Sequence, residues 1–203
     1  MNRSKKLKFF LFALLVLVSV VCDDESDRTG TFTDSRDGHV YKTIQIGSQV
    51  WMAENLAYRT SDSSWYYNDD SATYHKYGRL YNWNGAVTAV PLGWHLPTDD
   101  EWTILTNYLG GDSVAGAKLK EMGNAHWATP NTGATNEVGF TALPGGFRRE
   151  SGEFNNLGIS GIWWSATEFG GLVWDRNMSY DYVWVGRYIS FTTSGFSVRC
   201  VEN

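Results

Sequence analysis

The sequence predicts a single α+β domain with short antiparallel strands, one or two helices and long irregular loops. Three observations lead to this prediction: a strongly marked helix follows Thr98, β-prone segments flank that helix on both sides, and no helical period appears after Trp127. The length of 203 residues suits one domain with a substantial core, in addition to an N-terminal targeting segment.

The first 21 residues have the layout of a signal peptide, because basic residues precede an uninterrupted apolar run from Phe9 to Val18. This run is shorter than the roughly 20 apolar residues that a membrane-spanning helix needs. We therefore expect export of the chain rather than insertion across a membrane.

Cys22 follows the apolar segment, where bacterial lipoproteins carry their acylated cysteine, and SVVC resembles a lipobox. Two acyl chains there would anchor the protein to a lipid membrane. The acids at 23–25 resemble the export tag of surface lipoproteins of Bacteroidetes-type bacteria, so we predict a lipid-anchored protein of the outer membrane or cell surface. The alternative is an ordinary secretory signal that is cleaved nearby.

The segment 22–36 is acidic and poor in large apolar residues, so it predicts a flexible tether ahead of a domain over 37–203. Without residues 1–21, 13 Lys and Arg remain against 22 Asp and Glu, which gives a formal net charge of −9. This acidic balance, without a clustered basic stripe, argues against nucleic acid as a partner.

The first elements predicted within the domain are a hairpin and a loop. Alternating Ile44 and Ile46, followed by the turn at Gly47-Ser48, predict two paired strands. The turn-rich yet aromatic stretch 61–78 predicts a long loop that packed rings hold in place.

The marked helix has a predicted capping box. Thr98 is the expected N-cap, Glu101 follows three residues later, and Gly110-Gly111 ends the helix. A second, weaker helix is predicted over 113–122.

His95, Asp99, Asp100 and Glu101 crowd together beside this helix and resemble a metal or acid/base cluster. Asp99 and Asp100 fall in the first helical turn, however, where the helix dipole favours negative charge. Glu101 is occupied by the capping box, and we expect His95 to be a hydrogen-bonded core imidazole. We therefore interpret the cluster as structural.

The chain after the helices predicts a series of short strands, of which GFSVRCV is the last. Its alternation puts Cys200 on the same face as Phe196 and Val198, so we predict that Cys200 is a core residue.

Trp65, Tyr66 and Tyr67, followed by Asp69, form the best local candidate for a ligand site. Aromatic rings beside hydrogen-bonding groups suit a sugar-binding surface, because pyranose rings stack their C–H faces on π systems. Packing of the loop by the same rings is the alternative. A calcium site that uses Asp69 and Asp70 is a weaker alternative, since these residues lack the spaced oxygen pattern of a calcium loop.

No motif for nucleophilic, phosphate-binding, dinucleotide or metal-dependent chemistry occurs in the sequence, so we predict no catalytic residue, metal or cofactor. A paired-carboxylate glycosidase remains an alternative, because four acids lie in or beside predicted turns and two of them could meet in space. These acids are Glu137, Glu153, Glu168 and Asp175.

Seven stretches of the chain resemble the Fibrobacter succinogenes major paralogous domain family, in the family's order and at fitting spacings. They are DGHVYKTIQIGSQVWMAENLAY, YGRLYNW, GWHLPTDDEW, AGAKLKE, GFTALPGGFR, WWSATE and GFSVRCV. The resemblance covers nearly the whole domain and implies a secreted or lipid-anchored protein with no established activity. WWSATE and GFSVRCV are also similar to segments of C-type lectin-like and formylglycine-generating-enzyme folds, which implies a compact C-type lectin-like domain.

The resemblance further implies two disulfides that this chain lacks. Many family members have cysteines at the positions of Tyr66 and Tyr74, and another at the position of Val90 that pairs with the cysteine matching Cys200. We therefore expect Cys200 to be a free thiol and the domain to depend more on aromatic packing.

Together these features predict a surface-anchored, non-enzymatic module that binds an extracellular ligand, such as a polysaccharide or a cell-surface protein. The alternatives are an extracellular glycan hydrolase and a structural module of the cell envelope without a small ligand.

Overall fold

The computed structural model describes residues 28–203. The predicted signal peptide, Cys22 and the acids at 23–25 lie outside these residues. The described chain forms twelve β-strands and four α-helices: β1 Thr29–Thr33, β2 Val40–Ile46, β3 Gln49–Met52, β4 Ser64–Trp65, α1 Ser71–Tyr74, β5 Leu80–Tyr81, α2 Trp83–Ala89, β6 Trp94–His95, α3 Asp99–Tyr108, α4 Asp112–Leu119, β7 Phe147–Arg148, β8 Phe154–Asn155, β9 Ser160–Phe169, β10 Leu172–Ser179, β11 Gly186–Ser190 and β12 Val201–Glu202. Within residues 28–203, no helix has the length and apolar character that crossing a membrane requires.

The named strands pair in antiparallel fashion and form several small sheets. The largest sheet has the order β1-β2-β3-β12-β6, the next has the order β11-β10-β9, and β4–β5 and β7–β8 are two-stranded. Ile46 pairs with Gln49 across the turn at Gly47-Ser48, which confirms the predicted hairpin. Short helices combined with small antiparallel sheets make the domain α+β, as predicted.

The domain begins earlier than the predicted boundary at residue 37. Strand β1 pairs with β2 along its whole length, from Thr29 opposite Ile44 to Thr33 opposite Val40. The prediction of a flexible tether is therefore wrong for residues 29–36. Composition was misleading here because β1 is an exposed edge strand, whose polar side chains face solvent while its backbone completes the sheet.

The two predicted helices are present, and two short ones add to them. Helix α3 begins after Thr98 with the predicted capping box, and α4 confirms the second helix with an earlier end at Leu119. Helices α1 and α2 have 4 and 7 residues, which is too short to show a helical period in the sequence.

The core consists of two aromatic clusters that lie on opposite faces of shared strands. Trp51 and Trp163 belong to the first cluster, with Trp102, whereas their neighbours Met52 and Trp164 belong to the second. Because successive strand residues face opposite ways, one strand contributes a large side chain to both clusters. Trp163 and Trp164 are both fully buried, so β9 is covered on both faces.

The C-terminal segment 195–200 also has two buried faces, one apolar and one polar. Phe196, Val198 and Cys200 pack in the second cluster, as the alternation predicted, and Cys200 is a buried free thiol. The opposite face is equally buried but polar, since Ser197 and Arg199 are 0% exposed. Only Val201–Glu202 forms a regular strand, whereas the residues before it make isolated bridges.

Arg199 is the centre of a buried hydrogen-bond network. Its guanidinium donates twice to Asn55 Oδ1, at 2.9 and 3.1 Å, and also to the carbonyl oxygens of Met52, Phe140 and Thr141. Within residues 28–203 no carboxylate lies within 4.0 Å of it, and burial lowers the pKa of Arg199 to about 9. The charge is thus stabilised by amide and main-chain dipoles rather than by an ion pair.

We predict that Arg199→Met lowers the free energy of unfolding by roughly 2–4 kcal/mol, because several buried acceptors lose their donor. Chemical denaturation measures this change. Arg149→Met is the matched control, since Arg149 is exposed, and it should change stability by less than about 0.5 kcal/mol. Equal stability of the two variants would contradict the central role of Arg199.

Candidate functional site

Three of the four predicted ligand-binding residues meet in one cleft of about 440 Å³. Its lining comprises Arg59, Asp62, Trp65, Tyr66, Asp69 and Arg79, together with three serines. We call it the Trp65 cleft. It combines two aromatic rings with charged and hydroxyl groups that donate and accept hydrogen bonds.

Short regular elements position the aromatic wall of the Trp65 cleft. Trp65 lies in β4 and pairs with Leu80 of β5, so its backbone is fixed although it belongs to an irregular region. Arg79 stacks its guanidinium 4.0 Å from the centre of the Tyr66 ring and donates to the Ser64 carbonyl oxygen at 3.2 Å. Arg148 of β7 lies 4.2 Å from the centre of the Trp65 ring. These cation–π contacts fix both rings.

A strained turn directs Asp69 to the cleft. Asn68 and Asp69 both have positive φ, at 52° and 57°, a left-handed conformation that Asn and Asp tolerate better than most residues. The next residue, Asp70, is used differently, because its Oδ1 accepts hydrogen bonds from the backbone of Ala72 and Thr73 as the N-cap of α1. Asp70 thus fixes the start of α1 rather than lining the cleft.

Tyr67 is the predicted site residue that the structure places elsewhere. Its ring packs against Tyr74 and Phe154, each with ring centroids 5.3 Å apart. These contacts confirm that packed rings hold the loop, and they take Tyr67 out of the Trp65 cleft. Arg59 and Arg79 were not predicted as cleft residues, because neither belongs to a motif that indicates ligand binding.

The charged cluster beside α3 is structural, with two corrections. Glu101 completes the capping box and its Oε1 hydrogen-bonds His95 Nε2 at 2.7 Å; burial would raise the pKa of Glu101, but the bonds from Thr98 and His95 lower it. His95 is hydrogen-bonded as expected, yet its side chain is 34% exposed rather than in the core. Asp99 has a second role besides its favourable interaction with the helix dipole, because it also forms ion pairs.

Asp99 is buried and holds two arginines. Its carboxylate lies 2.8 Å from Arg176 and 2.6 Å from Arg187, which come from the neighbouring strands β10 and β11. Arg176 also donates to the Asp99 carbonyl oxygen at 2.9 Å. This cluster fastens the first turn of α3 to the three-stranded sheet.

The four carboxylates of the hydrolase alternative differ in their surroundings, although Glu168 and Asp175 lie on the paired strands β9 and β10. Glu137 lines one described cleft and lies 3.5 Å from Lys118, whereas Glu153 and Glu168 are exposed on other elements. Asp175 is 2% exposed and accepts a hydrogen bond from Ser190 Oγ at 2.8 Å. None of the four clefts described in residues 28–203 is lined by two of these acids.

Cys200 has no access to solvent, and burial raises the pKa of its thiol to about 12. A protonated, enclosed thiol does not act as a nucleophile or as a metal ligand. Val90, which the resemblance matches to a pairing cysteine, packs against the second cluster, to which Cys200 belongs. An apolar contact therefore occupies the place where the resemblance implied a disulfide.

Within residues 28–203, no group of three or more His, Cys, Asp and Glu side chains is arranged to hold a metal ion.

Burial raises the pKa of Asp175 to about 6, so the folded protein binds its proton more tightly than the unfolded chain does. Stability at this site therefore falls as the pH rises from about 4 to about 6. We predict that Asp175→Asn removes this loss and raises the free energy of unfolding at pH 7 by about 1–3 kcal/mol. Denaturant titrations at pH 4 and pH 7 measure the free energy of unfolding of the wild type and the variant at each pH.

Glu168→Gln, which removes an exposed carboxylate from the neighbouring strand, serves as the control and should leave both values unchanged. A loss of stability in Asp175→Asn at pH 7 would show that the ionised carboxylate stabilises the fold.

The Fibrobacter succinogenes major domain model matches residues 44–202, which is more than half of the chain. No curated protein and no solved structure matches. The C-type lectin-like architecture therefore stays a prediction, while the α+β class is established by the strands and helices described above. The match covers β3 to β12, most of both core clusters and the Trp65 cleft, and the chain belongs to the Fibrobacter succinogenes major domain family.

Proposed function

We propose that this protein is a lipid-anchored surface protein whose domain binds extracellular polysaccharide at the Trp65 cleft, without catalysing its breakdown. The observation that carries the proposal is the convergence of Trp65, Tyr66 and Asp69, predicted from the sequence, on one polar cleft. Protein adhesion partners are the alternative ligands for the same surface.

The chemistry of the cleft suits a sugar better than an apolar ligand. Asp62 and Asp69 accept hydrogen bonds, Arg59 and Arg79 donate them, and the serine hydroxyls do both. A sugar ring presents many hydroxyls around an apolar C–H face, so it needs such mixed groups beside an aromatic surface. The volume of about 440 Å³ falls within the usual range for small-ligand sites.

Preorganisation favours binding by the same residues. The rings of Trp65 and Tyr66 are held by stacked arginines, so they lose little conformational freedom when a ligand binds.

The anchoring part of the proposal depends on Cys22, which lies outside the described residues. Since β1 begins at Thr29, at most six residues separate an acylated Cys22 from the folded domain. An extended chain of that length reaches about 20 Å, so the domain would stay close to the lipid surface. The domain would therefore bind polymers that come close to the cell surface, because the domain itself could not extend far from the membrane.

We predict that the full-length protein binds at least one polysaccharide on a glycan array, and that Trp65→Ala and Asp69→Asn each weaken this binding at least tenfold. A central aromatic anchor typically contributes about 2 kcal/mol to binding, which is more than a tenfold change. Tyr67→Phe should bind normally, because Tyr67 packs inside the loop.

Trp174→Ala is the matched control, since Trp174 is also a half-buried tryptophan with an arginine stacked on it, at 3.7 Å, but outside the Trp65 cleft. Release of reducing sugar that is lost in Glu137→Gln or Glu168→Gln would favour the hydrolase. Failure to bind any glycan, together with a protein recovered by surface crosslinking, would favour the structural module.

The anchor has a separate test. We predict that radiolabelled palmitate is incorporated into the wild-type protein and that Cys22→Ser abolishes this labelling, because Cys200 is too deeply buried to be acylated instead. Unchanged labelling of Cys22→Ser would contradict the lipoprotein proposal.

A further inference from the structure

We propose that a second cleft binds a small zwitterion, a molecule that carries both an ammonium group and an acidic group. This cleft has a volume of about 430 Å³, and four charged residues line it: Lys42, Glu54, Lys76 and Glu121. We call it the Glu54 cleft. It shares no lining residue with the Trp65 cleft, so this proposal is independent of polysaccharide binding.

The charges of the Glu54 cleft balance each other but do not pair. Lys42 and Glu54 belong to the side formed by the large sheet, whereas Lys76 and Glu121 come from the segments next to Tyr77 and α4. Within the described chain, neither lysine ammonium lies within 4.0 Å of a carboxylate. Both ammonium groups therefore remain available to a ligand, and the two carboxylates keep lone pairs beyond the hydrogen bonds they already accept.

This charge pattern selects among ligand classes. A purely anionic ligand would meet two carboxylates, and a purely cationic ligand would meet two ammonium groups. A zwitterion places its ammonium near the glutamates and its acidic group near the lysines, which avoids both repulsions.

The two carboxylates are held in place before any ligand arrives. Glu54 Oε2 accepts a hydrogen bond from the Lys42 main-chain nitrogen at 2.8 Å. Both oxygens of Glu121 bond to His126 Nδ1, at 2.8 and 2.9 Å. Fixed acceptors lower the entropy cost of binding, so we assign the ammonium end of the ligand to the glutamates. The exposed lysines can adjust to the acidic end.

The base of the cleft is equally rigid. Asn55 and Thr141 line it, and both accept hydrogen bonds from the buried guanidinium of Arg199. Asn55 is only 7% exposed, and its amide also donates to the Tyr77 carbonyl oxygen at 2.9 Å. A cleft of this size and rigidity suits a ligand of about dipeptide size.

Isothermal titration calorimetry of the full-length protein tests the proposal with two zwitterions, alanyl-alanine and phosphoethanolamine. We expect at least one to bind with a Kd below about 1 mM. The blocked peptide, acetyl-alanyl-alanine amide, has no charge and should not bind. Binding of the dipeptide alone would identify free peptides as the source of the ligand, and binding of phosphoethanolamine alone would identify lipid headgroups.

Isosteric variants locate the binding. Glu54→Gln and Glu121→Gln keep one oxygen acceptor but lose the charge, so each should weaken binding about tenfold or more. Glu202→Gln changes an exposed charge and Lys118→Met a half-buried charge outside the cleft, and Trp65→Ala changes the other cleft, so all three should bind normally. A thermal unfolding scan verifies that each variant is folded.

Three results would overturn the proposal: no binding of either zwitterion, equal binding of the blocked peptide, or undiminished binding by both folded glutamine variants.

Discussion

The buried guanidinium of Arg199 is the interaction on which the rest of this structure depends. It joins the end of β3 to the loop that contains Phe140 and to the C-terminal segment, which are far apart in the sequence. Through Asn55 the network extends to β9, since Trp163 Nε1 donates to Asn55 Oδ1 at 2.9 Å. The fit is tight, because a side chain at Gly78 would come within 2.7 Å of Asn55, and φ of +74° there also favours glycine. A buried charge without a carboxylate is tolerated only because nearly every donor finds an oxygen.

Around this polar centre, aromatic packing stabilises a domain that has no disulfide within residues 28–203. The two clusters share β3 and β9, because Trp51 and Met52 of β3, and Trp163 and Trp164 of β9, contribute to opposite clusters. Trp51 and Trp102 have ring centroids 4.9 Å apart, and Trp164 and Phe196 4.3 Å apart. Cys200 and Val90 sit in the second cluster as ordinary apolar residues. Burial of this much aromatic surface stabilises the domain without a covalent cross-link between its segments.

Both clefts lie where irregular segments are fixed by charged side chains. The Trp65 cleft depends on arginines that stack on its rings, and the Glu54 cleft rests on residues bonded to Arg199. Loops fixed in this way can present ligand-binding groups without the flexibility of an ordinary loop. The proposed polysaccharide and zwitterion sites therefore share one physical feature, which is the rigidity that arginine side chains add to the strands and loops beside each cleft.

The sequence by itself determined the local features of this protein: the hairpin at Gly47-Ser48, the capping box of Thr98 and Glu101, and the burial of Cys200, because each depends on neighbouring residues or on strand alternation. It also indicated Trp65, Tyr66 and Asp69 as candidate ligand-binding residues, since aromatic and acidic residues in a loop can be recognised without a structure. Only the tertiary structure decided that Tyr67 packs inward, that polar β1 joins the sheet, and that Asp99 and Arg199 are buried. These outcomes depend on partners more than 40 residues away or on unpaired sheet edges, and no local pattern encodes such contacts.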